Sequence, residues 1–226
     1  MDKALWDKLA AAGGVVGALL FVVAIVVLGT PPSLDDEAST VAGFFVENRG
    51  QVLWALWFQG LGVLAVVWFV AALGAAMRNA GEGRLAAALG FSFALTFAFG
   101  GVAALIRGGL GFRIAEEADA GLTTALYHLS LYMDSVTSVV GAGMYAAVAG
   151  AALRTRFLPA WWAWLSGLAA LWGVVSATAW GREGFWSPEG AGLVGFVVFL
   201  VWVGFTSVLL VLQMRGSEAH QPAAAV

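Results

Sequence analysis

The 226-residue sequence has no cysteine, which excludes disulfide staples, thiolate metal sites and cysteine nucleophiles. Charge is scarce. Asp, Glu, Lys and Arg together make up 11% of the chain, less than half of the ~25% usual in soluble domains. Only two histidines occur, and His220 lies near the C-terminus, so His128 is the one imidazole in the body of the chain. The net charge of −3 gives no electrostatic footprint for nucleic acid. No Walker loop, no G-x-S-x-G elbow and no H-E-x-x-H zinc helix is present. Metal binding by His128 with Asp134 and Glu116 or Glu117 lacks any diagnostic spacing. No metal and no cofactor is expected.

What is abundant is apolar surface. Hydrophobic residues make up 61% of the chain and the mean hydropathy is +0.89, against roughly 45–50% apolar in soluble proteins. At ~20 residues per span this predicts an all-α integral membrane bundle of six transmembrane helices. The apolar runs place the spans at about 11–29, 52–77, 85–106, 122–153, 160–180 and 191–213. Residues 1–10 read as a polar N-terminus and 215–226 as a disordered tail. The first run resembles a signal peptide, but Thr30-Pro31-Pro32 offers no A-x-A-like cleavage site, so an uncleaved span is expected. Its Gly13 and Gly17 form a small-xxx-small pair suited to close helix packing.

Between the first two spans, Leu34, Ala38, Val41, Phe44 and Phe45 recur at helical spacing among Asp35, Asp36, Glu37 and Glu47. This predicts a short outer amphipathic helix. It is either a connector lying on the surface, the simpler expectation, or a cap over the bundle. Gly108 to Gly121 reads as a second outer loop, with Gly108, Gly109 and Gly111 as a hinge.

Lysine and arginine set the expected orientation. Lys3, Lys8, Arg78, Arg84, Arg154, Arg156 and Arg215 fall on the side of the termini, and Arg49, Arg107, Arg113 and Arg182 on the other. The acids Asp35, Asp36, Glu37, Glu47, Glu116, Glu117, Asp119, Glu183 and Glu189 all collect opposite the termini. The expectation is a multi-pass plasma-membrane protein with both termini cytoplasmic.

The candidate site lies on the fourth span. Asp134 is the one acid inside an apolar run. It stands twenty residues before Arg154, or ~30 Å at ~1.5 Å per residue, the thickness of the hydrocarbon core. That puts Asp134 near the outer boundary and His128 about 9 Å further out. Tyr127, Ser130, Asp134, Thr137, Ser138, Gly141 and Tyr145 share one face by their i, i+3, i+4 steps, with His128, Tyr132 and Ser135 on an adjoining stripe. Arg107 is the arginine best placed to pair with Asp134, and Arg113 is the second. Gln59, on the second span, is expected to hydrogen-bond to a neighbouring helix.

The turn Arg154-Thr155-Arg156-Phe157-Leu158-Pro159, followed by an aromatic and small-residue span, resembles a turn in a family of small bacterial six-helix membrane proteins of unknown function. The resemblance implies the topology and no activity. Three functions are compatible with the residues. The simplest is a non-catalytic bundle acting through membrane lipids, a protein partner or a second copy. The next is an outward-open pocket for an amphipathic or cationic small molecule or lipid, lined by Asp134, Ser130, Ser138, Tyr127, His128, Gln59 and Arg107. The third is an enzyme on a lipid or isoprenoid substrate, with Asp134 as general acid or base and His128 or Arg107 assisting.

Overall fold

A computed structural model describes residues 3–181 and 184–219. Among these all regular secondary structure is helical: α1 (Lys3–Leu28), α2 (Ala38–Glu47), α3 (Arg49–Asn79), α4 (Gly83–Gly109), α5 (Ala115–Glu117), α6 (Ala120–Thr155), α7 (Ala160–Ser176) and α8 (Pro188–Ala219). Five of these, α1, α3, α4, α6 and α8, are long and apolar enough to cross a membrane. α7 has 17 residues, about 25 Å at ~1.5 Å each, and stops four residues short of the expected span end at 180. α1 begins at Lys3 instead of residue 11, because the amphipathic start of the chain continues the same helix. Backbone helix extends to Ala219 in the stretch expected to be a disordered tail; residues 220–226 of it lie outside the described residues.

Local chemistry sets the breaks. Gly29 ends α1 with φ +75, a left-handed conformation that costs glycine nothing, and Pro31–Pro32 then cannot continue the helix. Gly81, at φ +91, closes the α3–α4 turn while the Glu82 N–H donates to Met77 O at 2.9 Å, a Schellman-like stop. Asp119 starts α6 by accepting from Leu122 N at 2.8 Å, as an N-cap should. At the other end of α6, Arg156 holds φ +57, and Arg154 bonds Glu82 at 3.0 Å. The 154–159 turn is thus tied to the α3–α4 turn.

Successive long helices and α7 run antiparallel. The most extensive pairing is α1 on α3, then α4 on α6 and α6 on α7. Small residues make these approaches possible. A Cβ at Gly17 would lie 2.5 Å from Val66 Cγ2 and 2.9 Å from Gly62 O, so the Gly13–Gly17 pair seats α3 as expected. Gly143 plays the same part in α6 against Ser92 of α4, and Gly173 of α7 against Ser138 O. The main core comprises Phe69, Leu73, Met77, Leu89, Met144, Val148 and Trp202, with Tyr145 edge-on to Trp202 at 4.9 Å.

A polar ladder runs through the α1–α7–α8 junction. Trp162 Nε1 donates to Thr206 Oγ1 at 2.9 Å, Trp202 Nε1 to Ser166 Oγ at 2.9 Å, and Ser207 Oγ to Ala11 O at 2.6 Å. Thr206 is fully buried, so Thr206→Val strands the Trp162 N–H in an apolar setting. The expected cost is about 1 kcal/mol, in the range of interhelical hydrogen bonds in membranes. Thermal unfolding of the detergent-solubilised variant checks it, and an unchanged midpoint would remove the ladder from the forces holding α7 in place.

Two sequence expectations are corrected here. The stretch after Arg107 is not a flexible loop: α4 continues to Gly109, a π-helical turn spans Leu110–Ile114, and α5 follows directly. The glycines serve approach instead of hinging, since a Cβ at Gly111 would meet Val52 at 2.8 Å and one at Gly108 would meet Leu56 at 3.0 Å. Nor is α2 a loose surface connector. Its Val41 and Phe45 are buried in a second core with Val52, Leu110, Ala115 and Tyr127. It caps one end of the bundle, called here the α2 end.

Candidate functional site

The α2 end is tied together by hydrogen bonds onto the α1–α2 loop. Tyr127 Oη, on α6, donates to Pro32 O at 2.8 Å. Glu189, in the first turn of α8, accepts from Leu34 N at 2.6 Å and from Ser33 Oγ at 3.3 Å. Ser33 N in turn donates to Asp36 Oδ2 at 2.8 Å. Two helices far apart in sequence therefore fix the position of residues 32–36.

The fixed loop walls a groove. Its cavity is about 520 Å³, within the ~300–1,000 Å³ of small-molecule sites. α6 contributes His128, Leu131 and Tyr132, and the loop contributes Leu34 and Asp35. Trp180, Gly181 and Pro188 close the third side from the α7–α8 connection. His128 is half-buried, and its Nε2 is buried without a hydrogen-bond partner among the described residues. Buried polar groups left unpaired are uncommon.

Asp134 is elsewhere. Its Oδ2 lies 2.6 Å from Arg107 Nη1, and its Oδ1 lies 3.5 Å from Nη2. This is a fork-to-fork pair between α4 and α6, as expected from the two positions. The Arg107 side chain is 18% exposed and that of Asp134 44%. Thr137 Oγ1 donates back to Asp134 O at 2.5 Å. Both carboxylate oxygens are thus engaged by one cation. His128, six residues earlier, faces the groove between α6, the loop and the α7–α8 connection, while Asp134 faces α4.

The other candidates separate in the same way. Arg113 pairs with Glu117, four residues on in α5, at 2.6 Å, and not with Asp134. Ser130 is fully buried and donates to Tyr127 O at 2.7 Å. Ser138 lies near α8, its Oγ 3.9 Å from where a Cβ on Gly195 would stand. Gln59 is half-buried on α3 and, among the described residues, its side chain makes no hydrogen bond, correcting the expected helix-to-helix bond. Asp134, Ser130, Ser138, Tyr127, His128, Gln59 and Arg107 therefore do not line one pocket. The residues that the sequence singled out and the groove uses are His128 and Tyr132.

Leu34, Asp35 and Trp180 complete it from loops. The sequence placed Leu34 and Asp35 only in the short outer helix, and nothing in the helical periodicity of α6 reaches across to other elements. No group of three His, Asp or Glu side chains that could hold a metal ion occurs among the described residues. Comparison with known proteins finds no matching family model, no similar curated protein and no similar solved structure.

Proposed function

We propose that this chain is a non-catalytic, six-span protein of a bacterial plasma membrane. In this reading both termini are cytoplasmic, and the protein holds an amphipathic molecule or lipid in the groove at its outer, α2-capped end. Five helices meet the length for a span. α7 supplies the sixth because it lies antiparallel between α6 and α8, bonded through Trp162 and Trp202. The orientation follows from the excess of lysine and arginine on the side of the termini.

The observation that carries the binding reading is the groove of about 520 Å³ built from α6, the held α1–α2 loop and the α7–α8 connection. An apolar cavity with a few polar groups at one side suits a molecule with a tail and a head. The enzymatic reading is weaker on the same geometry. A general acid or base has to reach the proton it moves within ~3 Å, and the carboxylate of Asp134 is taken up by Arg107.

Native mass spectrometry of gently solubilised protein tests this. Wild type and Asp134→Asn are expected to retain the same adduct, and Leu34→Trp, which fills the groove from a loop, is expected to lose it. A bare wild type would defeat the reading. So would an adduct lost in Asp134→Asn but kept in Leu34→Trp.

A further inference from the structure

We infer that the groove selects a cationic amphiphile: an aliphatic ammonium whose head sits between Asp35 and the rings of Tyr132 and Trp180. This rests on the binding role proposed above and adds the charge class of the ligand. Three observations converge on it. Asp35 lines the groove, is exposed, and among the described residues has neither an ion pair nor a hydrogen bond. Its backbone is nevertheless held, because Leu34 N just before it donates to Glu189 and the Asp36 side chain just after it accepts from Ser33 N. A ligand that meets this carboxylate therefore has only a short side chain to order, and not the loop that carries it.

The second observation is aromatic. Tyr132 and Trp180 line the same groove and both are exposed, so their faces are available rather than packed. Aromatic faces beside a carboxylate are the chemistry that recognises ammonium groups, including quaternary ones that cannot donate a hydrogen bond. The third is the sign of the local charge. Among the described residues no lysine or arginine lines the groove, where His128 is the one imidazole, and Asp36 and Glu189, bonded to the same loop, are also acidic. An anionic head would be repelled by Asp35, and a neutral one would gain a hydrogen bond from it but no charge pairing. Leu34, Leu131 and Pro188 supply the apolar wall for the tail.

The test uses hexyltrimethylammonium, whose charge is independent of pH. Equilibrium binding of the radiolabelled probe is measured on full-length protein in nanodiscs, with empty discs subtracted. Hexyl sulfate and hexyl glucoside serve as competitors of the same tail length. Wild type is expected to bind the ammonium and to be displaced by neither competitor. Asp35→Asn is expected to weaken binding about tenfold, as is Trp180→Leu, the size of one partly exposed carboxylate or cation–π contact.

Binding that is equal in phosphatidylglycerol and phosphatidylcholine discs assigns the site to a free amphiphile. Binding seen only in phosphatidylglycerol discs assigns it to the choline head of a lipid, which occupies the site in the other discs. Both support the inference. Equal displacement by the glucoside together with an unaltered Asp35→Asn overturns the charge assignment and leaves the groove as a binding site. Failure of wild type to bind the ammonium or the glucoside, with an adduct-free native spectrum, overturns the groove reading itself.

Discussion

Asp134→Asn is expected to destabilise the protein by about 2–4 kcal/mol. Breaking a buried ion pair from one side costs about 3–5 kcal/mol, because the remaining charge is left without its partner. The lower range applies here because the Asp134 side chain is 44% exposed. The two halves of the pair are not equivalent. Arg107 is the more buried partner, at 18%, and a guanidinium stays charged under all ordinary conditions. Removing the acid therefore strands a permanent, largely buried cation without its partner. Removing the base, as in Arg107→Gln, leaves a carboxyl that can take up a proton and become neutral, so its cost is expected to be smaller.

The double variant Arg107→Leu/Asp134→Leu is expected to recover most of the loss, since replacing a whole ion pair by apolar groups is often neutral. Unfolding midpoints of the single and double variants in one detergent decide the matter. An Asp134→Asn protein as stable as wild type would mean that the pair contributes nothing to joining α4 and α6. Asp134 would then have to be reconsidered as a functional acid.

Gly13→Leu is expected to have an effect of similar size through a different cause. A Cβ at this position would lie 2.5 Å from the backbone oxygen Ala65 O, and 3.4 Å from Phe69 N. Backbone cannot rotate out of the way as a side chain can, so α1 and α3 must move apart along their whole seam. Overpacking typically costs about 1–3 kcal/mol, and the upper part of that range is expected because this is the most extensive pairing in the bundle. Gly60→Leu is the matched control on α3, where an added Cβ meets nothing within 4 Å. It should melt with wild type. If both variants melt alike, the α1–α3 approach is not what holds the first helix in place.

The sequence alone determined the class of this protein: 61% apolar residues in runs of helical length leave only a helical bundle with several helices fit to cross a membrane. Hydropathy is additive along the chain, so it survives without any knowledge of neighbours. Pairing of Arg107 with Asp134 was legible for a related reason. Both sit at the same depth on consecutive antiparallel helices, and depth can be counted from the ends at a fixed rise per residue.

The azimuth of each helix was not legible. Periodicity shows that Tyr127, Ser130, Asp134 and Ser138 share a broad face of α6, but not which neighbour each part of that face meets. Packing of Gly143 against Ser92 and of Gly173 against Ser138 O sets the rotation. With that rotation, Asp134 faces α4 while His128 and Tyr132 line the groove walled by the loops. The stretch from Gly108 to Gly111 had no legible form either. Glycine permits both a hinge and a close approach, and the buried side chains of Val52 and Leu56 decide for the approach. The groove itself belongs to tertiary structure alone. Its walls come from residues 34 and 35, 128, 131 and 132, and 180, 181 and 188, and the bonds from Tyr127 and Glu189 place the first loop among them.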